Sequence, residues 1–161
     1  RMLEGGEDVK FIARRLVILA AEDIGLANPN ALLMANACFD AVHKLGMPEA
    51  RIPLSEATIY LANSAKSNSA YMAIDEALAL VRQTGDLPVP LHLRNAPTKL
   101  MKDLNYGKSY KYSHDFEGNF TDQQYLPDKL DGQTIYKPQS NSQEQKSRES
   151  LTRRWKKRYK Y

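Results

Sequence analysis

The chain has 161 residues, of which 42 % are hydrophobic and 26 % charged, and this composition excludes wholesale disorder and suits one folded domain with a tail. Its single cysteine excludes an internal disulfide and fits a reducing cytoplasm, and its longest uncharged run, residues 24–39, is too polar to span a bilayer. The net charge of +4 is uneven, because residues 146–161 carry +7 and the other 145 residues carry −3, which concentrates any attraction to nucleic acid in the C-terminal tail.

The N-terminal part of the chain predicts two complete helices. Residues 1–3, ahead of two glycines, look like the last turn of a helix that starts upstream, so we expect the chain to be a fragment. The first complete helix is predicted over residues 7–23, and Gly25 ends it. The second is predicted to start with Asn28 as its cap and to end before Gly46. Its buried side chains are expected to be Leu32, Ala35, Phe39 and Val42.

Two more helices are predicted before residue 86. A short helix follows Pro53, and a longer helix is capped by Asn68 or Ser69 and ends at Gly85. The longer helix has apolar residues at helical spacing, which predicts that this face closes a core shared by four antiparallel helices. The residues of this predicted inner face are Tyr71, Ile74, Leu78 and Val81.

The pattern becomes irregular after the fourth helix. Pro88 and Pro90 predict an extended strap, because each proline fixes φ and removes a backbone donor. Pro97 is expected to begin a short helix whose apolar residues point inward. These inward residues are predicted to be Leu100, Met101 and Leu104.

The C-terminal third predicts little regular structure. Residues 108–137 lack a helical period, and a brief strand is predicted at Ile135-Tyr136. Residues 141–161 predict a polar helix or a disordered tail, since few apolar side chains are present to fold them. We therefore predict an all-α fold, in which a compact helical bundle carries an irregular strap rich in proline and tyrosine and a basic tail.

Catalytic chemistry finds little support in the sequence. The phosphate-binding pattern G-x-x-x-x-G-K-[ST] does not occur, so we expect neither ATP binding nor enzymatic activity from this chain alone. Asp40 and His43 have the spacing of a helical metal-ligand pair, but a second pair is missing, so we interpret them as solvated residues and predict no metal. Cys38 lies in the middle of a predicted helix and is expected to be a buried small hydrophobe, not a nucleophile.

Three groups of residues are candidates for contact with nucleic acid. Arg14, Arg15 and Lys66 either contact phosphate or pair with nearby acids, and we favour pairing. Tyrosines interleave with cations near Lys108 and Lys111, a mixture that stacks on bases and neutralises phosphates, although such tyrosines also pack over helical cores. The tail has a denser charge interspersed with aromatic residues, yet it could add only nonspecific affinity. Its candidate residues are Arg153, Arg154, Trp155, Lys156, Lys157 and Arg158.

Three stretches together resemble the C-terminal region of the RarA/MgsA family of AAA+ ATPases, which is related to clamp loaders and to the Werner-helicase-interacting ATPase of eukaryotes. They read GGEDVKFIARRLVILAAEDIGLANP (residues 5–29), AKSNSAYMAID (65–75) and VPLHLRNAPTKLMKDLNYGKSYKYSHD (89–115). The resemblance covers about residues 1–138 and leaves the tail unmatched. The family-motif residues, whose role stays open, are His92, Arg94, Asn95, Pro97, Lys99, Lys102, Tyr106, Gly107, Tyr110, Tyr112 and His114.

The resemblance implies a specific organisation. Residues 1–27 are expected to end the lid or linker region of an AAA+ core, residues 28–138 to form a helical oligomerisation domain similar to a clamp-loader collar, and residues 139–161 to form the basic tail. The implied assembly is a homo-oligomer, most simply a tetramer. ATP and Mg²⁺ would bind in the core that this chain lacks, so no cofactor is expected here.

The resemblance also implies a cellular role, in replication-fork maintenance, recombination and repair by a DNA-dependent ATPase. The first hypothesis for this chain is an assembly module, and the alternative is an independent DNA-binding module that uses the tail and strap. Forked or single-stranded DNA and other proteins of the replication fork are the expected partners, and a membrane is not. The expected location is cytoplasmic, and association with the nucleoid stays open.

Overall fold

The computed structural model describes residues 1–156 and 158–161, and within them it contains helices, turns and loops but no strand. The all-α class is therefore confirmed. The chain forms two compact units: unit 1 comprises Arg1–Glu76 and Tyr136–Arg148, and unit 2 comprises Ala77–Ile135 and Glu149–Tyr161. The boundaries predicted at residues 27 and 138 stay predictions. No helix in the described part of the chain has the length and apolar character needed to cross a membrane.

The first helix of unit 1, α1, spans Val9–Leu19 and continues into a π-helical turn, Ala20–Ile24, and a 3₁₀ turn, Gly25–Ala27. Asp8 is the N-cap, because its carboxylate accepts a hydrogen bond from the backbone N–H of Lys10. The predicted helix over residues 7–23 is thus present, although its last turn is wider than an α-helix.

The next two helices are α2, Asn30–Leu45, and α3, Arg51–Ala62. The prediction that Asn28 caps α2 through its side chain is wrong. Its amide Nδ2 instead donates to the hydroxyl of Tyr60 at 3.1 Å and to Ser64 Oγ at 3.0 Å, which ties the start of α2 to the end of α3.

The core of unit 1 is built mainly from alanine. Two clusters of buried side chains draw on α1, α2, α3 and the π turn, and the largest fully buried apolar residues are Ile24 and Val42. Small side chains let the helices approach closely but bury little apolar area per residue. The expectation for Leu32 is wrong, because this side chain is exposed. The buried alanines are Ala13, Ala20, Ala31, Ala35, Ala50 and Ala57.

The fourth helix, α4, spans Ser69–Thr84 and ends at Gly85, whose φ of 64° is the left-handed conformation that glycine adopts at helix ends. The predicted core of four helices is wrong, because Ser69 is the one residue of α4 that is buried. The apolar face expected to point inward is exposed: Ile74 is 56 % exposed and Val81 57 %. A period of 3.6 residues predicts an apolar face but not the partner that covers it.

The rest of the chain contains α5, Lys99–Asp103, and α6, Ser142–Trp155. Leu100 and Leu104 are exposed, so the prediction that they face inward is wrong. The predicted strand at Ile135-Tyr136 is also wrong, since both residues are in an irregular segment. Helix α6 confirms the helical alternative for residues 142–155. The remaining short 3₁₀ turns are Leu91–Leu93, Ser113–Asp115, Glu117–Asn119 and Asp128–Leu130.

Within unit 1, the start of α6 is fastened by the buried carboxylate of Glu144, which is 1 % exposed. Ser69 Oγ donates to Oε1 at 2.5 Å, the Tyr136 hydroxyl donates to Oε1 at 3.0 Å, and Asn141 Nδ2 donates to Oε2 at 2.5 Å. Burial alone would raise the pKa of Glu144, but hydrogen bonds from Ser67, Ser69, Asn141 and Tyr136 together outweigh it and lower that pKa. The carboxylate is therefore held ionised without an ion pair to any described residue.

Candidate functional site

Helix α3 of unit 1 has apolar side chains on two opposite faces. Leu54, Ala57 and Leu61 are buried in the core, as their spacing predicts. Ile52 and Ile59, which lie two turns apart on the other face, are 57 % and 61 % exposed. They line a surface groove of about 470 Å³ together with Arg51, Ser55 and Glu56. We call this surface the α3 groove.

In unit 2, the proline strap, which contains Pro88 and Pro90, runs into the 3₁₀ turn Leu91–Leu93, and hydrogen bonds of this turn fix it in place. His92 Nε2 is 2.8 Å from the carbonyl oxygen of Gln124, and the N–H of Gly107 donates to the carbonyl of Leu91 at 2.9 Å. Gly107 has a φ of 70°, and a Cβ there would lie 3.3 Å from the carbonyl oxygen of Arg94. These contacts connect the strap to two later loops of the same unit.

Arg94 has a packing role that its sequence position did not reveal. Its Nε donates to the carbonyl of Val89 at 2.7 Å, its Nη1 donates to the Tyr106 hydroxyl at 3.1 Å, and its guanidinium lies 5.0 Å from the centre of the Tyr106 ring. A cation stacked on an aromatic ring and bonded on two sides stabilises the loop between them. Arg94 therefore links Val89, next to the prolines Pro88 and Pro90, to Tyr106 in the loop after α5.

The other motif residues are more accessible. Tyr110 and Tyr112 are about half exposed, and the Tyr112 ring lies 5.1 Å from the ring of His114. Thr98, which the family motif residues do not include, caps α5 by accepting a hydrogen bond from the N–H of Met101. The remaining exposed motif residues are Asn95, Pro97, Lys99, Lys102 and His114.

The aromatic residues of the tail pack within unit 2. The Trp155 ring meets Phe120 edge to face at 4.9 Å and Tyr159 at 4.8 Å, and Tyr125 lies 6.3 Å away. Tyr159 is buried, and this burial raises the pKa of its phenol. Such edge-to-face clusters stabilise a fold, so these rings take part in the packing of unit 2.

The cations of the tail differ in their surroundings. Arg158 donates to Asp122 and, at 2.9 Å, to Asp131, so two carboxylates already neutralise it. Arg154 lies 6.0 Å from the centre of the Phe120 ring. Arg153 and Lys156 are exposed, and Lys157 lies outside the described residues. Among the described candidate cations of the tail, Arg153 and Lys156 are therefore the exposed ones that neither stack on a ring nor form an ion pair.

Unit 2 contains a cleft of about 410 Å³ beside residues 105–111. Lys108, Lys111 and Arg158 line it together with Asp122 and Gln123. We call it the lysine cleft. Sequence reasoning identified the cations but missed Gln123, because no helical or strand period marks residues 108–137.

The residues considered for catalysis and metal binding, Asp40, His43 and Cys38, lack the partner side chains that such chemistry needs in the described part of the chain. Asp40 and His43 are exposed, and no group of three or more metal-ligating side chains occurs among residues 1–156 and 158–161. Cys38 is buried and donates to the carbonyl of Pro53 at 3.3 Å. Burial, and then the nearby carboxylate of Glu56, raise the pKa of its thiol, so the nucleophilic thiolate is disfavoured.

Arg14, Arg15 and Lys66 are exposed, and the favoured pairing of these cations with Glu22, Asp23 or Glu76 is wrong: no ion pair within residues 1–156 and 158–161 includes them, and Glu76 instead binds Lys137 at 2.8 Å. Glu144 was also missed. The spacing Asn141-x-x-Glu144 at the start of α6 is a helix-capping pattern, and the N–H of Glu144 does donate to Asn141 Oδ1 at 2.9 Å. That pattern could have located the residue, although not its partners from the distant residues 67–69.

Comparison with known proteins places these features in a family. The family model described as MgsA AAA+ ATPase C terminal matches residues 1–155. The chain is 45 % identical over 152 residues to replication-associated recombination protein A of Coxiella burnetii, which covers 94 % of this chain and 34 % of that protein. It is 47 % identical over 138 residues to the Bacillus subtilis protein of the same name, covering 86 % and 32 %, respectively.

A eukaryotic relative matches as well. ATPase WRNIP1 of Dictyostelium discoideum is 44 % identical over 137 residues, covering 84 % of this chain and 16 % of that protein. The chain thus spans about a third of the bacterial relatives and less of the eukaryotic one. The resemblance carried by residues 5–29, 65–75 and 89–115 is confirmed. The chain belongs to the MgsA AAA+ ATPase C-terminal family.

Proposed function

We propose that this chain is the assembly domain of a DNA-dependent AAA+ ATPase, and that it joins copies of that ATPase into a homo-oligomer, most simply a tetramer. The relatives' names refer to replication-associated recombination, which supports a role in recombination, repair and replication-fork maintenance, with other fork proteins as partners. ATP and Mg²⁺ would bind in the part of the ATPase that corresponds to the unmatched two thirds of the relatives.

The exposed face of α3 is the observation that carries this proposal. A surface helix of a monomer normally directs one apolar stripe to the core and polar residues to water. Helix α3 departs from this rule, because Ile52 and Ile59 are exposed on the face opposite Leu54 and Leu61. Covering such side chains with a second copy contributes roughly 25 cal/mol for each Å² of apolar area removed from water.

A closed tetramer of dihedral symmetry needs more than one kind of contact between subunits. Helix α4 offers a second apolar face, formed by Ile74, Leu78 and Val81. Two helices with uncovered apolar faces therefore support an assembly that extends beyond a dimer.

Charge in the α3 groove should break the assembly. Replacing Ile52 and Ile59 together by glutamate places two carboxylates where the partner copy would bury apolar surface. Central interface residues each contribute about 2 kcal/mol or more to the free energy of binding. Because about 2 kcal/mol corresponds to a factor of roughly thirty in the dissociation constant, we expect each substitution to raise that constant about thirtyfold or more. Sedimentation velocity of the 161-residue chain at micromolar concentration measures the change.

The matched control for added negative charge is Lys10→Glu, a substitution at an exposed position of α1. It should leave the sedimentation coefficient unchanged. Circular dichroism of both variants checks that the helices persist, because exposed substitutions cost little stability. Equal sedimentation of the double variant and the unaltered chain would remove the α3 groove from the interface.

DNA contact through unit 2 is the second candidate function. Lys108 and Lys111 are exposed and form no ion pair with the residues that the structure describes, and they lie next to the half-exposed Tyr110. This mixture favours DNA contact, because it suits single-stranded nucleic acid. Arg153 and Lys156 of the tail add accessible charge. A tetramer would multiply such weak contacts through avidity.

The tail should be tested by charge neutralisation, because deletion would remove the packed Trp155 and Tyr159 and damage unit 2. We expect Arg153→Gln with Lys156→Gln to weaken binding to single-stranded and forked DNA. The slope of log affinity against log salt concentration should fall by about 0.7 for each lost phosphate contact on a single strand. Binding that does not respond to salt would count against electrostatic contact by the tail.

A further inference from the structure

We infer that the lysine cleft of unit 2 is a binding site for a phosphoryl group. The cleft is lined by Lys108, Lys111, Arg158 and Asp122, so cations outnumber carboxylates. A phosphoryl group offers negative charge and oxygen acceptors on every side. The inference deepens the second candidate function, and it rests on that function only for the claim that the phosphate belongs to DNA.

The first support is the side chain of Gln123, which lines the cleft and is 5 % exposed. Its Oε1 accepts the backbone N–H of Lys111 at 2.8 Å, which fixes the orientation of the carboxamide. The amide Nε2 is then buried, and it has no hydrogen-bond partner among the described residues. Buried donors in folded proteins are almost always satisfied, so an unsatisfied one beside a cationic cleft points to a missing acceptor.

The second support is the state of the two lysines. Neither ammonium group forms an ion pair or a hydrogen bond with any residue in the described part of the chain. Arg158, by contrast, is engaged by Asp122 and Asp131. Lys108 and Lys111 therefore supply uncompensated charge, and a lysine ammonium binds phosphate well as a point charge.

The third support is the backbone of the loop that carries these residues. Asn105 and Ser109 both line the cleft, and both have positive φ, of 64° and 66°. Residues other than glycine adopt this conformation rarely and at a free-energy cost, and they concentrate at binding sites. The two positions bracket Lys108 and set the direction in which the loop presents its polar groups.

The test follows the side-chain amide resonances of Gln123 in ¹⁵N–¹H spectra of the full chain during titration with inorganic phosphate. We expect them to shift with a saturable dependence on phosphate concentration. The double variant Lys108→Ala, Lys111→Ala should weaken this binding about tenfold, since two charge-assisted contacts are lost. Both lysines are exposed, so the variant is expected to fold normally.

Two further variants sharpen the result. Gln123→Glu keeps the acceptor for the Lys111 N–H but replaces the amide donor by a carboxylate oxygen, so it should abolish phosphate binding. Because this variant has no side-chain amide at position 123, its binding is followed by the backbone amide resonance of Lys111. Lys99→Ala removes an exposed lysine of α5 that does not line the cleft, and it should leave the affinity unchanged. If Gln123→Glu fails to fold, the lysine variant and the Lys99 control still decide the question.

A second arm titrates a single-stranded oligodeoxythymidine into the same samples. Displacement of phosphate and the same lysine dependence would identify the ligand as the DNA backbone. Binding of phosphate without the oligonucleotide would support a site for a small phosphorylated molecule and leave DNA contact unsupported. Unchanged Gln123 resonances, or shifts that the lysine substitutions do not weaken, would overturn the inference even if the oligonucleotide binds elsewhere.

Discussion

Replacing Glu144 by alanine should destabilise unit 1 by about 3 kcal/mol, because several buried donors lose their acceptor at once. Ser69 and Asn141 would be left facing a cavity in which water is the only substitute. Unfolding in urea, followed by circular dichroism, measures the loss. The thermal midpoint should fall by about 10 °C for a chain of this size.

The same residue gives a pH dependence whose sign is fixed. Hydrogen bonds lower the pKa of Glu144 in the folded chain below its ordinary value of 4.5. The unfolded state therefore binds the proton more readily, and Glu144 stabilises the fold fully above pH 4.5. This contribution is lost as the pH falls through the lowered pKa. The alanine variant should consequently lose less of its stability than the unaltered chain over that interval.

The control for Glu144 is Glu4→Ala, which removes an exposed carboxylate of the same unit. It should change the free energy of unfolding by no more than about 0.5 kcal/mol. A Glu144→Ala variant as stable as this control would contradict the view that the carboxylate fastens α6. If the free energy of unfolding fell equally steeply with pH in the Glu144→Ala and Glu4→Ala variants, the assigned lowering of the Glu144 pKa would be contradicted.

Substituting alanine for Gly25 should be the most damaging glycine replacement in unit 1. Gly25 has φ 47° and ψ −129°, a region that residues with a side chain rarely occupy. An added Cβ would also lie 2.6 Å from the carbonyl oxygen of Ser67, which is backbone and cannot rotate away. We expect strain and overlap together to cost about 4 kcal/mol, measured by urea unfolding.

Gly46→Ala separates the two contributions. Gly46 also belongs to unit 1 and has φ 65°, but a Cβ there would meet nothing within 4 Å. The Gly46 variant should therefore show the conformational strain alone, about 2 kcal/mol. Similar losses in the two variants would mean that the contact between Gly25 and Ser67 is less close than described.

The sequence predicts the helices up to residue 84 well and their burial less well. Gly46 and Gly85 do end α2 and α4, because glycine reaches the left-handed conformation that stops a helix. The inner face predicted for α4 is wrong, however. Apolar periodicity is the same whether a face packs inside the subunit or remains available for a partner, so the sequence alone could not separate these outcomes.

The candidate site was predictable in its charges but not in its pairings. Lys108 and Lys111 stand out in the sequence and do line a cleft. The neutralisation of Arg158 by Asp122 joins residues 36 positions apart through an irregular loop, and no local rule predicts such a contact. Trp155 likewise looked available for stacking, although it packs on Phe120.

The most direct test of the account is the mass of the unaltered 161-residue chain in solution, measured by sedimentation equilibrium across the micromolar range. Assembly through the uncovered faces of α3 and α4 predicts a concentration-dependent mass that rises to that of four 18.3 kDa chains. A mass that stays at 18.3 kDa throughout would contradict it, because Ile52, Ile59, Ile74 and Val81 would then face water without a partner copy.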